Sequence, residues 1–220
     1  MNLKRKNLSH NEKKIAHNIG MYFITDSIIT KTSVISQVNQ ALNAGVRIIQ
    51  YREKSLPTIE LYNQAMKLKK LINGKAILII NDRIDICLAV DADGVHLGSD
   101  DIPYADARRI LGSKIIGLST HNINEAINAE SLGADYISIG PIFPTMTKHN
   151  HQEPVGTDMI TDISKRIKIP FIAIGGINKN NIQDVLNAGA RNVAIISDIV
   201  TKIDITKEIK SFELKCKSRI

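Results

Sequence analysis

An eightfold alternation of two kinds of segment constrains this chain most. Short apolar runs suited to buried strands lie at Tyr22–Thr25, Val46–Tyr51, Ala76–Ile80, Gly94–Leu97, Ile115–Leu118, Tyr136–Ile139, Phe171–Ile174 and Val193–Ile196. Segments with helical spacing of apolar residues follow them, near Ser33–Asn43, Thr58–Asn73, Ile84–Val90, Tyr104–Leu111, Ile123–Leu132, Met159–Arg166, Asn181–Ala188 and Ile205–Leu214. Strands that alternate with helices form parallel sheets with helical crossovers. Eight such units in roughly 200 residues predict a closed (β/α)8 TIM barrel. An internal repeat agrees: Asn43-Ala-Gly-Val46, Leu132-Gly-Ala-Asp135 and Asn187-Ala-Gly-Ala190 each close a helix and open a strand. Glycine there takes the left-handed conformation that other residues avoid. An open doubly wound sheet is the alternative, but no Gly-x-Gly-x-x-Gly follows the first run.

The pattern implies one catalytic barrel over residues 21–214. Before it, residues 1–20 form an extension, either a helix packed on the domain or a frayed tail; after it, 215–220 form a basic tail. The net charge of +7 would suit nucleic acid if it were gathered on one face. Instead residues 1–20 carry +4 and residues 207–220 carry +3, so the body sums to zero. Aromatic content is only 4%, which offers no stacking platform, and a nucleic-acid partner is not expected. No apolar run approaches the ~18–20 residues of a membrane helix. The basic start has no apolar segment behind it, so no membrane role is expected and the cytoplasm is the expected location. Cys87 sits among Ile84, Ile86 and Leu88 as a small hydrophobe, and Cys216 lies near the end; their spacing suits neither a metal site nor a disulfide framework.

A barrel makes a sharp demand, because its active site must lie at the carboxyl ends of its strands. The unusual residues of this chain gather there. Gln50, Arg52 and Lys54 alternate on one face after the second run, with Tyr51 and Glu53 on the other. Arginine supplies a planar fork and lysine a point charge, a pair suited to phosphate oxygens. Asn81-Asp82 follows the third run, and His96 to Asp101 surround the end of the fourth. Asp82 and Asp101 come from separate loops and suit Mg²⁺, which takes oxygen ligands and shares its shell with substrate phosphate. Each is also placed to cap the helix that follows it.

Gly175-Gly176-Ile177 with Ile196-Ser197 has the form of a phosphate cradle built from backbone N–H groups. Gly140 to Lys148 opens a long loop with Thr145, Thr147 and Lys148, and such loops are often lids; Lys148 is placed to stabilise a leaving anion. His149 and His151 form a His-x-His pair with no third soft ligand at zinc spacing, so solvated loop is the simpler account. His96 and His121 sit at strand ends as either catalytic or structural imidazoles. The barrel would thus carry a diphosphate site and a monophosphate site, and its partners are expected to be small phosphorylated molecules. The sequence leaves the oligomeric state open, a homo-oligomer included.

Taken together, Gln50-Tyr-Arg-Glu-Lys54, Ile80-Asn-Asp-Arg83, Gly94-Val-His-Leu-Gly98 with Asp100-Asp101, Gly117-Leu-Ser-Thr-His121, Gly140 to Lys148, Ala173-Ile-Gly-Gly-Ile177 and Ile196-Ser197 resemble the thiamine phosphate synthase family. The resemblance runs from about Met21 to Ile199. It implies a Mg²⁺-dependent transferase that joins hydroxymethylpyrimidine diphosphate to a thiazole phosphate, plain or 2-carboxylated, and releases diphosphate. It also implies that Gln50, Tyr51, Arg52, Glu53, Lys54, Asn81, Ser119 and Lys148 hold the pyrimidine diphosphate, with Lys148, Arg52 and Ser119 catalytic. Asp82 and Asp101 would hold the metal. Thr145, Met146, Thr147, Gly176, Ile196 and Ser197 would hold the thiazole phosphate. Ser99 stands where the family has glutamine, residues 149–153 are rich in histidine, and the first twenty residues have no counterpart. A thiazole isomerase on the same barrel, with His121 moving a proton, and a non-catalytic phosphate-ligand sensor are the competing expectations.

Overall fold

The computed structural model describes residues 15–30, 32–145 and 153–217. Strands β1 (Gly20–Ile24), β2 (Ile48–Tyr51), β3 (Ile77–Asn81), β4 (Gly94–Leu97), β5 (Ile115–Thr120), β6 (Tyr136–Ile139), β7 (Phe171–Ile174) and β8 (Asn192–Ala194) pair in sequence order. All pairs are parallel, and β8 closes the ring on β1. The fold is therefore the (β/α)8 barrel that the alternation predicts. Around it run α1 (Val34–Ala44), α2 (Thr58–Ile72), α3 (Ile84–Ala89), α4 (Tyr104–Leu111), α5 (Ile123–Leu132), α6 (Gly156–Arg166), α7 (Ile182–Asn187), a short α8 (Ser197–Val200) and α9 (Ile205–Lys217). The three repeat glycines, Gly45, Gly133 and Gly189, have φ of 93°, 91° and 110° and end their helices as expected.

Several boundaries differ from the expectation, three of them in the carboxyl half of the chain. β8 stops at Ala194, because Ile195 and Ile196 leave the ladder to enter α8, a turn too short to show helical periodicity. Helix α6 starts at Gly156, earlier than Met159, where the Gly156 amide bonds to the Ile142 carbonyl (3.2 Å). Helix α9 continues past Leu214 to Lys217.

Side-chain alternation sorts the strands into two cores. Tyr22, Ile24, Ile48, Ile77, Ile79, Ile115, Tyr136, Ile172 and Ala194 fill the barrel. Their neighbours, among them Met21, Phe23, Ile49, Tyr51, Leu78 and Ile80, pack outward under the helices. Residues 15–19, left by the sequence as helix or frayed tail, are an irregular strap leading into β1 at the amino end of the barrel. Ile15 and Ile19 are buried in the inner core. Asn192 anchors the strap: its Oδ1 accepts from the Ile19 amide (2.7 Å), and its Nδ2 donates to the His17 carbonyl (3.2 Å). Plugging the bottom with two isoleucines leaves the carboxyl end as the barrel's open mouth.

Candidate active site

The mouth collects most of the predicted residues, and nearly every charged one is already paired. Arg52 leans toward β1, its Nη1 donating to Asp26 Oδ2 (3.0 Å), while its amide bonds to Thr25 Oγ1 (3.0 Å). Lys54 leans the other way, onto Asp82. Gln50 turns into the barrel, where its Nε2 donates to Tyr22 Oη (2.9 Å). Ser119 Oγ lies 3.0 Å from His96 Nε2. Asn81 extends the inner face that Ile77 and Ile79 occupy, and its Nδ2 is buried with no protein partner. A buried amide donor left unpaired costs about 1–3 kcal/mol, which makes Asn81 Nδ2 a candidate donor to a ligand.

Asp82 and Asp101 do meet, as two carboxylates from the ends of β3 and β4. Burial raises the Asp101 carboxyl, and the adjacent Asp82 raises it further, against hydrogen bonding from the Gly98 amide (2.6 Å). Neither residue caps a helix. Residues Arg83 and Pro103 occupy the N-cap positions of α3 and α4, and neither makes a side-chain cap bond. Asp82 instead adopts φ of 60°, with its amide fixed on the His96 carbonyl (2.9 Å). Aspartate, with asparagine, adopts this left-handed backbone more readily than other L-residues. Among the described residues no third His, Cys, Asp or Glu joins the pair. Two hard oxygen donors of like charge, crowded together beside Lys54, suit a Mg²⁺ ion, which takes oxygen ligands.

Two members of the β2 segment lie elsewhere. Tyr51 is 1% exposed in the outer core, with its hydroxyl on Gln64 Oε1 of α2 (2.7 Å). Alternation puts it on the helix side, away from any substrate in the mouth. Glu53 braces its own loop, its Oε1 accepting from the Ser55 amide (2.8 Å) and hydroxyl (2.7 Å). Burial would raise this carboxyl, but donors on Ser27, Ser55 and Lys54 hold it below the usual carboxylate range. A lowered folded value contributes stability that is present above the unfolded value and lost as pH falls through the folded one. Glu53→Gln is therefore expected to lower Tm at neutral pH, with the gap to the parent closing below about pH 4.5. Thermal melts across pH check this, and a constant gap would refute it.

The residues expected to hold a monophosphate lie at the neighbouring ends of β7 and β8. Gly176 has φ of 65°, and a Cβ there would lie 2.6 Å from the Pro144 carbonyl oxygen and 2.7 Å from Phe143 Cβ. Its carbonyl accepts from Asn181 Nδ2 (2.9 Å) and Asn178 Nδ2 (3.2 Å). Ile196 and Ser197 begin α8 beside it. The neck of the β6 loop is zipped to β7 by Ile142 N to Ile174 O (2.9 Å) and Phe143 N to Gly175 O (3.0 Å). Its return is tied by Val155 N to Pro141 O (2.8 Å). Thr145 is described; Met146, Thr147, Lys148, His149 and His151 lie outside the described residues, and with them the lid and the His-x-His pair. His121 Nδ1 bonds to the Gly140 carbonyl (2.5 Å), a structural tie.

Sequence reasoning missed Asp26, the acid at the one strand end it passed over. Its Oδ1 accepts from the amides of Ile28 (2.8 Å) and Ile29 (2.9 Å), so Oδ2 is aimed at Arg52. Buried Gln37 of α1 brackets the Asp26 peptide through Nε2 to its carbonyl (2.8 Å). Asp26→Asn keeps the loop acceptor and removes the ion pair, an expected loss of about 2 kcal/mol. A urea-unfolding double-mutant cycle with Arg52→Gln should give a combined cost well below the sum; strict additivity would show that the two side chains are not coupled.

A parallel barrel whose mouth combines a cationic clamp, an acidic pair and a glycine cradle defines a phosphate-handling TIM-barrel protein. A family model described as thiamine monophosphate synthase matches residues 21–199. The chain is 44% identical to a thiamine-phosphate synthase of Methanosarcina barkeri over 96% of each chain. With the Methanosarcina mazei protein of that name it shares 46% identity, over 91% of this chain and 84% of the relative. A solved thiamine phosphate pyrophosphorylase from Pyrococcus furiosus superposes with a TM-score of 0.84 at 36% identity, covering 92% of this chain and 97% of that one. The chain belongs to the thiamine monophosphate synthase family.

Proposed function

We propose that this chain forms thiamine phosphate, joining hydroxymethylpyrimidine diphosphate to a thiazole phosphate with release of diphosphate. What carries the proposal is the meeting of Arg52, Lys54, Asn81, Asp82, Asp101 and Ser119 at one mouth, beside a glycine cradle. Arg52 and Lys54 each exchange a protein carboxylate for diphosphate oxygens, and Asn81 Nδ2 gains the acceptor it lacks. Asp82 and Asp101 would hold Mg²⁺, which would supply charge neutralisation for the departing diphosphate. The methylene C–O bond breaks with its electron pair going to diphosphate, and the thiazole nitrogen forms the new bond to that carbon. Gly176, Ile196 and Ser197, with Thr145, Met146 and Thr147, bind the thiazole phosphate, and Lys148 binds the diphosphate and stabilises its departing charge. Ser119 donates at the mouth, and Gln50 sits beneath the pyrimidine.

No described helix is long and apolar enough to cross a membrane. We assign the enzyme to the cytoplasm, acting on small phosphorylated molecules with no nucleic-acid partner. The test is an assay with both substrates and Mg²⁺, followed by chromatography of products. Thiamine phosphate appearing with one diphosphate per turnover is the expected result. Isomerised thiazole phosphate without coupling would identify the isomerase, and binding without turnover the sensor; either would overturn the assignment.

A further inference from the structure

The barrel interior under the mouth carries an unbroken line of polar side chains. Gln50 Nε2 of β2 donates to Tyr22 Oη of β1 (2.9 Å). Tyr22 Oη lies 2.7 Å from Tyr136 Oη of β6, which lies 3.0 Å from His96 Nδ1 of β4. His96 Nε2 lies 3.0 Å from Ser119 Oγ of β5 and 3.2 Å from Ser138 Oγ of β6. Both tyrosines are buried, and burial pushes both phenols up, so each keeps its single proton.

Counting protons fixes the direction. An amide nitrogen only donates, so Tyr22 accepts from Gln50. If Tyr136 also donated to Tyr22, the Tyr22 proton would be left buried with no acceptor, because its described partners are only Gln50 and Tyr136. Burying an unmade donor is costly. With Tyr22 donating to Tyr136, and Tyr136 to His96 Nδ1, both phenol protons are used. His96 Nδ1 is then an acceptor, so the neutral imidazole carries its proton on Nε2 and gives it to Ser119 Oγ, with Ser138 Oγ sharing it. The Ser119 hydroxyl proton is left over, on the residue that opens to the mouth.

The backbone is cut to fit this line. His96, Gly117 and Tyr136 are register partners on β4, β5 and β6. A Cβ on Gly117 would fall 2.1 Å from Tyr136 Cζ. The missing side chain lets a phenol on β6 reach an imidazole on β4 across the intervening strand.

The geometry points to a one-way hydrogen-bond relay, Gln50 to Tyr22 to Tyr136 to His96 to Ser119, that holds His96 as its Nε2–H tautomer and leaves Ser119 an obligatory donor toward the substrate. Tyr22, Tyr136 and His96 are positioning residues. The recipient of the Ser119 proton, an oxygen or ring nitrogen of the pyrimidine substrate, rests on the function proposed above; the tautomer does not.

Long-range ¹H–¹⁵N NMR of the ¹⁵N-labelled full chain reads the tautomer directly, with the His96 signals assigned by their loss in His96→Gln. At about pH 8, above the ordinary imidazole range, His96 is expected to show a pyridine-type Nδ1 and a pyrrole-type Nε2. An Nδ1–H tautomer or an imidazolium overturns the relay, whatever the enzyme assay shows. Tyr136→Phe should shift both nitrogens toward a tautomer mixture and lower kcat about tenfold, the scale of one lost hydrogen bond, with KM for both substrates within about twofold. In a Ser119→Ala background the same change should have almost no further effect on kcat. Unchanged nitrogen shifts, or full additivity with Ser119→Ala, would also overturn it. If Tyr136→Phe fails to fold, Tyr22→Phe breaks the line one step earlier and is read the same way.

Discussion

Asp82→Asn is expected to lower kcat by ~10²–10³ and to move the Mg²⁺ concentration for half-maximal rate upward at least ~10-fold. Asparagine is the informative choice because it tolerates the left-handed backbone that Asp82 adopts at φ 60°. The loop is then preserved, and what disappears is one negative oxygen donor. The rest of the site responds in a stated direction: Lys54 loses its ion pair, and the Asp101 carboxyl, raised by burial and by its neighbour, moves back down. Folding with two crowded carboxylates is unfavourable, and a cation that binds only the folded state offsets it by mass action. Mg²⁺ without substrate should therefore raise the Tm of the parent and leave that of Asp82→Asn nearly unmoved. Rates titrated against Mg²⁺, with melts alongside, check both statements. A variant with the parent's Mg²⁺ dependence would remove Asp82 from the metal site.

Gly176→Ala should be nearly as damaging, through shape alone. The added methyl carbon would stand 2.6 Å from the Pro144 carbonyl and 2.7 Å from Phe143 Cβ, on a backbone at φ 65°. Both obstacles belong to the neck of the β6 loop, which is hydrogen-bonded to β7 and gives way only by moving as a unit. The left-handed conformation adds roughly 1–2 kcal/mol for an alanine. A displacement of about 1 Å in a positioning loop costs on the order of 10²-fold in rate. We expect kcat/KM for the thiazole phosphate to fall by ~10², while binding of the pyrimidine diphosphate, measured by calorimetry, stays within a few-fold. Equal losses on both substrates would mean that the glycine supports the mouth as a whole and not the monophosphate cradle.

Much of the site was readable because barrel topology converts sequence position into location. Residues just after apolar runs must crowd one rim, so Arg52, Lys54, Asn81, Asp82, Asp101 and Ser119 were identifiable before their contacts were known. The relay was not readable. Tyr22, Tyr136 and Ser138 sit inside apolar runs, where an aromatic ring or a small hydroxyl is indistinguishable from packing. Asp26 ends a run in the same way, but its importance depends on Arg52 being 3.0 Å away, 26 residues later. Tyr51 shows the converse error. The motif carries it beside Arg52, yet strand alternation points it at Gln64. The strap of residues 15–19 was ambiguous because Ile15 and Ile19 also fit helical spacing.

What the sequence determined by itself is the order of elements and the end of the barrel at which chemistry gathers. Apolar periodicity and glycine placement are local properties, and eight repeats leave one closed ring as the economical way to bury them. Which polar groups hold one another, and in which direction their protons run, was decided only by the closed structure. Those contacts join residues up to 114 positions apart on different strands, and such partners are neighbours only once the ring has closed.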